Sequence, residues 1–356
     1  MICFFAATPL QMLTCINIHE SRYSTVDADI FLLTYAVDLS IYQEMLNESH
    51  IFKHIYVISK PFNKKGRFHF FREYLFPDHA IINILTRTAY SEMFSTKIGP
   101  ASIFYYTFLL RKNRDIRFVY YEEGIGDYWN NFQYLNLLSV KIIELLGYKN
   151  PYKYKFPMWM YLPEYLTSRH SCSMVKIPCF NSVLISNLKR WFKIDYHLPA
   201  DCQLIYFEQP FYEQQGIKVD HNEYLDILSS VVSKQHIYVK LHPRSSENNY
   251  VREGYKILDS GFLPWELLLL SLQLDHIILV SISSTATISP KMLFNYEPPV
   301  MLLYKCIFSN SSITDGHFFD YIENLYVNKN NFTRPKNIHD IPIVLHKLLE
   351  HQKQGI

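Results

Sequence analysis

Short runs of branched and aromatic residues recur along this chain, each followed by a stretch of helical spacing, and no other feature constrains the fold as strongly. A strand that must return through a helix before the next strand begins pairs with it in parallel, which implies open sheets covered by helices. Two such series are present. The first passes through Ile2–Ala6, Ile30–Tyr35, His54–Ser59 and Ile116–Tyr121, with Ala101–Tyr106 an apolar run that fits either element. The second passes through Leu204–Phe207, Ile237–Lys240, Tyr255–Leu258, His276–Val280 and Val300–Tyr304. The expected class is α/β, with two doubly wound, Rossmann-like domains. Their expected bounds are 1–190 and 191–335, joined by a crossing at Asn181–Pro199. Residues 336–356 carry an amphipathic helix, Ile341–Lys353, expected to pack back on the first domain.

At 356 residues each domain is long enough for its own core. The amino terminus, MICFFAATPLQML, lacks a basic leader and is broken by Pro9 and Gln11, so it is expected to be a strand, a Thr8-Pro9 turn and a helix. No apolar run reaches membrane-spanning length. A net charge of +2 gives no global field for sequence-independent nucleic-acid binding, and no nucleic-acid partner is expected. The six cysteines form no CxxC pair, so reduced thiols in a cytoplasmic protein are expected, with neither disulfides nor zinc. There are 28 Tyr and 25 Phe against only 10 Gly. That excess suits stacking on rings and hydrogen bonding to sugars, and fits equally an AT-rich coding sequence.

Chemistry-bearing residues gather at strand ends, where open α/β sheets bind ligands. Ile237–Lys240 runs into Leu241, His242, Pro243 and Arg244, so an imidazole and a guanidinium stand at a sheet edge on a turn stiffened by proline. Ile116–Tyr121 ends in Glu122-Glu123-Gly124. Only one of the two carboxylates can easily face a cleft, and like charges side by side raise the pKa of at least one, as a base near neutral pH requires. A solvated acidic loop is the plainer alternative. Leu263-Pro264-Trp265-Glu266 opens a helix, where Glu266 either complements the helix dipole or accepts the hydroxyls of a ribose. Ser281 to Thr287 follows a strand with clustered hydroxyls and backbone N–H groups, a phosphate cradle or simply a helix cap.

Taken in order, these motifs resemble those of bacterial sialyltransferases with the GT-B architecture. An acidic pair and Gly end one strand, a His-Pro pair ends another about 120 residues later, and a Pro-x-Glu helix start and a Ser-Ser-Thr turn follow. The opening ATPLQ with Thr8 and Gln11, the stretch EEGIGDY, and Gln209-Pro210 after Leu204–Phe207 resemble glycosyltransferase family 52, the lipooligosaccharide sialyltransferases. The likeness covers Thr8 to about Thr287.

That resemblance implies a GT-B-like pair of domains facing across a cleft. It also implies an inverting, metal-independent transferase moving sialic acid from CMP-sialic acid to a galactose-terminated oligosaccharide or glycolipid of the bacterial surface, lipooligosaccharide or capsule, through an α2,3 linkage. Glu122 is implied as the general base, with Glu123 second. Glu208, Glu213 and Asp220 stay open because some family members place the base after the strand corresponding to Leu204–Phe207. His242 is implied to protonate the departing phosphate, Pro243 and Arg244 to shape the nucleotide pocket, and Glu266 and Pro264 to hold the ribose. Leu241 and Leu263 would lie near the cytosine, and Ser283, Ser284 and Thr285 at the phosphate. Thr8, Gln11, Gly124 and Gln209 complete the substrate-side set.

No cofactor beyond the donor substrate and no metal site is expected. A nucleoside monophosphate can leave when an imidazolium and a few dipoles stabilise its charge. Lys60–Arg72 and Lys149–Lys155 mix cations with aromatics, either as ordinary loops or as a peripheral contact with the inner membrane from the cytoplasmic side. A homodimer is left open. Within the same class a glucosyltransferase or polysialyltransferase is the alternative. Outside it stands a non-catalytic glycan- or nucleotide-binding subunit of a capsule assembly complex.

Overall fold

A computed structural model of the chain describes residues 1–34, 37–59, 74–96, 100–128, 137–166, 172–210, 219–242, 250–261, 263–307 and 316–354. Lys60–Arg72, Glu213, Pro243 and Arg244 lie outside the described residues. The chain divides into two compact units, Met1–Lys193 and Ile194–Ile356.

The first unit is built on seven strands: β1 (Ile2–Ala6), β2 (Ala28–Leu33), β3 (His54–Ile58), β4 (Glu92–Ser95), β5 (Arg117–Tyr121), β6 (Met158–Met160) and β7 (Met174–Lys176). Their spatial order is β3-β2-β1-β4-β5-β6-β7. Every pairing is parallel. The central strands are apolar on both faces because helices cover both sides, and β1 and β2 are buried along their whole length. Phe5 of β1 stacks on Phe31 of β2 at 4.5 Å and on Tyr105 at 4.9 Å.

Tyr105 settles the ambiguous run at 101–106. It belongs to the helix Pro100–Lys112, whose last turn carries Arg111 and Lys112 against the carbonyl end of the dipole. Strands β4, β6 and β7, three or four residues each, fall where no strand is expected from the sequence, since so short a segment shows no periodicity. The segment at 181–199 contains a helix, Ser182–Trp191, capped by Asn181 and burying Leu184 and Leu188.

The second unit has β8 (Leu204–Phe207), β9 (Ile237–Lys240), β10 (Lys256–Ile257), β11 (Ile278–Ser281), β12 (Val300–Leu302) and β13 (Phe332–Thr333). They are parallel and ordered β10-β9-β8-β11-β12-β13. Counted from its first strand, the second sheet has the order 3-2-1-4-5-6 of a Rossmann-like fold, and the first has the same order with a seventh strand added at its edge. The chain therefore reverses direction between β1 and β4 in one unit and between β8 and β11 in the other. Asp220 caps the helix His221–Ser229 through Asn222 N, as its sequence pattern indicates. The last helix, Asp340–Gln354, was expected to pack on the first domain. Its apolar residues Ile341, Leu345 and Leu348 are buried in the core of the second unit with Leu225, Leu228 and Val239.

Among the described residues no helix is long and apolar enough to cross a membrane. Cys3, Cys15 and Cys202 are buried and Cys179 is exposed.

Candidate functional site

In the first unit the loops after β1 and β5 meet. Thr8 caps the helix Pro9–Ile18 by accepting from Gln11 N at 3.2 Å, with Pro9 at the first helical position. Gln11 is fully buried. Its Oε1 accepts from Ala7 N at 2.7 Å, and its Nε2 donates to Glu123 Oε1 at 3.2 Å. Glu123 is exposed, and its N–H donates to Asp127 Oδ2 at 2.7 Å. Between them Gly124 has φ of 154°, a conformation that L side chains rarely adopt.

Glu122, the expected base, faces the other way. It is 2% exposed, and its Oε2 accepts from Tyr128 Oη at 2.5 Å and from Tyr161 N at 2.8 Å. Tyr128 in turn accepts from Leu162 N at 2.9 Å. Burial pushes the Glu122 carboxyl up to about 8, against the pull of those two donors. One carboxylate of the pair thus ties β5 to the segment after β6, and the other is presented to solvent. Alternation along an extended backbone sends neighbouring side chains to opposite sides.

In the second unit the carboxyl ends of β8, β9 and β11 carry a connected set. Glu208 follows β8 and accepts from His242 N at 3.2 Å and Tyr250 Oη at 2.9 Å. It therefore holds the turn that carries His242, which is half-buried. Gln209 Oε1 accepts from Ser283 N at 2.7 Å. Ser284 caps the helix Thr285–Phe294 by accepting from Ala286 N, while Ser284 N donates to Ser281 Oγ at 3.0 Å. The main-chain N–H groups of Ser283, Ser284, Ala286 and Thr287 all have protein partners. Of the turn's hydroxyls, Thr287 Oγ1 donates to Ser284 O at 2.8 Å and lies 3.1 Å from Ser281 Oγ, both fully buried, while Ser283 and Ser284 are half-buried at the rim. Thr285 is half-buried beside them.

Leu263 and Pro264 lie in the turn before the short helix Trp265–Leu268, with Pro264 extended at φ −71°. Ser260 Oγ donates to Leu263 O, and Lys240 Nζ donates to Ser260 Oγ at 2.8 Å. Burial raises the pKa of Glu266 and lowers that of Lys240, and each opposite charge offsets part of the other's shift. Trp265 Nε1 donates to Ala286 O at 2.7 Å, tying this turn to the Ser283 turn. Leu241 packs against the core of the unit.

Residues the sequence motifs do not single out are Lys240, Tyr250 and His221, while Asp127 and Tyr128 fall inside the EEGIGDY stretch without a role of their own. Of these only Lys240 carries a local signal, a cation at the end of an apolar strand. Asp27-Ala28-Asp29 has the D-x-D spacing of many metal-dependent transferases, yet it sits at the entering end of β2. Asp27 pairs with Lys53 at 2.6 Å, and the fully buried Asp29 accepts from Tyr90 Oη and His54 N. Among the described residues no group of three or more His, Cys, Asp or Glu is placed to hold a metal ion.

Neither a family model nor a curated protein matches the sequence. Solved structures do match nearly the whole chain. The UDP-GlcNAc 2-epimerase from Neisseria meningitidis bound to UDP-GlcNAc aligns with 99% of this chain and 92% of its own, at TM-score 0.53 and 11% identity. LpCGTa in complex with UDP aligns with 99% and 90%, at TM-score 0.51 and 9% identity. A further UDP-N-acetylglucosamine 2-epimerase gives 99% and 90%, at 0.51 and 10%. Likeness at such identities is a likeness of fold. With both sheets in Rossmann order, it establishes the chain as a two-domain α/β protein of the GT-B fold class.

Proposed function

We propose that the chain is a glycosyltransferase using a nucleotide sugar, and that the donor is CMP-sialic acid and the acceptor a galactose-terminated bacterial surface glycan. What carries this is the rim of the second unit. His242, Gln209 and Ser283 stand at the carboxyl ends of three adjacent strands, β9, β8 and β11, at the reversal of strand order where such sheets take nucleotides. The cytidine follows from the family 52 resemblance of the motif series.

In this proposal His242 protonates the departing phosphate, the hydroxyls of Ser283 and Ser284 hold it, and Glu266 accepts the ribose hydroxyls. Leu241, Leu263 and Pro264 shape the base and ribose pocket. The base on the first unit is Glu123 and not Glu122, because a carboxyl with 2% exposure and two donors on one oxygen cannot reach an acceptor hydroxyl. Gln11 and the Asp127 contact hold the loop that presents Glu123. The transfer is a single displacement with inversion, forming the α2,3 linkage without a metal.

A uridine nucleotide sugar is the second reading, favoured by structural neighbours bound to UDP-GlcNAc and UDP. The deciding experiment incubates the protein with EDTA and lactose and either CMP-sialic acid or UDP-GlcNAc. Sialyl-lactose from the first, lost in His242→Ala, supports the proposal. Turnover of UDP-GlcNAc alone replaces it with the second reading.

A further inference from the structure

We propose that Gln209 binds the phosphate of the nucleotide through its side-chain amide nitrogen. This rests on the nucleotide-sugar reading of the second unit and deepens it. Gln209 lies two residues beyond β8 and Ser283 two residues beyond β11, strands that are adjacent in space although 74 positions separate the two residues.

A backbone N–H can be received only by the amide oxygen, so the bond from Ser283 N determines which way round the amide sits. The NH₂ group is then on the side away from that turn, with two N–H donors. Among the described residues Gln209 Nε2 has no hydrogen-bond partner, and the residue is half-buried.

The main chain at Gln209 is held as well. His221 Nε2 donates to Gln209 O at 3.0 Å, and the carbonyl acceptor requires the proton to be on that nitrogen. His221 Nδ1 is then the acceptor for Tyr206 Oη at 2.7 Å. Tyr206 is fully buried on β8, so the main chain at Gln209 is braced from the sheet and its side-chain amide from the Ser283 turn.

The turn leaves a place for such a donor. Its main-chain N–H groups at 283, 284, 286 and 287 are already bonded within the protein. An anion at this point can be met by side chains, and an amide N–H of Gln209 can donate to a phosphate oxygen there.

Gln209→Glu separates binding from scaffolding. A carboxylate has nearly the same shape and still accepts from Ser283 N, but it has no proton to donate and repels phosphate. Calorimetry on wild type and variant should use CMP and cytidine, and in parallel UMP and uridine. The expected result is a loss on the order of 100-fold in nucleotide affinity, with nucleoside affinity and Tm unchanged. A variant that binds the monophosphate as wild type does overturns the inference and leaves Gln209 a scaffold residue. If wild type prefers UMP to CMP, the sialyl donor reading fails while the UMP–uridine pair still decides the role of Gln209. If wild type binds neither monophosphate more tightly than its nucleoside, both fall.

Discussion

Gln11 Nε2 donates to Glu123 Oε1 at 3.2 Å across 112 positions of sequence, joining the first helix to the acidic loop after β5. Because Gln11 Oε1 is engaged by Ala7 N, the amide is fixed as a donor toward Glu123. Glu123→Gln is expected to lower kcat by about 10²- to 10⁴-fold, the range for loss of a general base, with Tm nearly unchanged at an exposed position. Steady-state kinetics of sialyl transfer provide the check, and near-normal kcat in this variant removes Glu123 from the mechanism.

Glu122 makes a different prediction, about pH. Its carboxyl is raised from 4.5 to about 8 by burial, so the folded form holds its proton where the unfolded chain releases it. The folded state therefore binds more protons between those values, and stability falls as pH rises through the window, being greatest below about 4.5 for this group. Thermal melts from pH 5 to 8.5 should show wild-type Tm declining and a flatter curve for Glu122→Gln, which resembles the protonated acid. Parallel curves would contradict the assignment.

Glu208 holds His242 N and Tyr250 Oη with one carboxylate, bracketing the segment 243–249. Removing it frees the turn that positions the imidazole without touching the nucleotide. Glu208→Ala is expected to reduce kcat about tenfold, ~1.4 kcal/mol in the barrier, with donor KM within about twofold. Tyr250→Phe, which leaves the His242 contact in place, should cost about 1 kcal/mol of stability and little activity. Equal effects of the two variants on kcat would show that His242 is positioned by something else.

The last helix belongs to the core of the second unit through Leu345, which is fully buried, while Ile343 on the same helix is 58% exposed. Leu345→Ala should destabilise by about 2–5 kcal/mol and Ile343→Ala by less than about 0.5. Denaturant titrations followed by far-UV circular dichroism distinguish the two. A Leu345→Ala protein as stable as wild type would place the helix elsewhere.

Much of the fold is legible locally. Ile2–Ala6, Leu204–Phe207 and Ile237–Lys240 are the strands their branched and aromatic runs indicate, and Asp220 caps its helix as the D-x-x-E pattern requires. Strands β4, β6 and β7 are not legible, because four residues or fewer hold too little pattern to separate them from loop. The helix at 100–112 is hidden for a related reason: it is apolar nearly all round, and only burial beside Phe5 distinguishes it from a strand.

The site divides in the same way. That carboxylates, an imidazole and hydroxyls stand at strand ends is a matter of periodicity and turn chemistry, which act over a few residues and are carried by the sequence alone. Tertiary structure decides which of them can act. Glu122 and Glu123 are equivalent as letters, but Tyr128 and Tyr161 hold one inside while Gln11 meets the other at the surface. Gln209 and Ser283 are unremarkable at 74 positions apart, and become one unit only because β8 and β11 are neighbours. Strand order is a property of the whole sheet, and it brings together residues that no local pattern can connect.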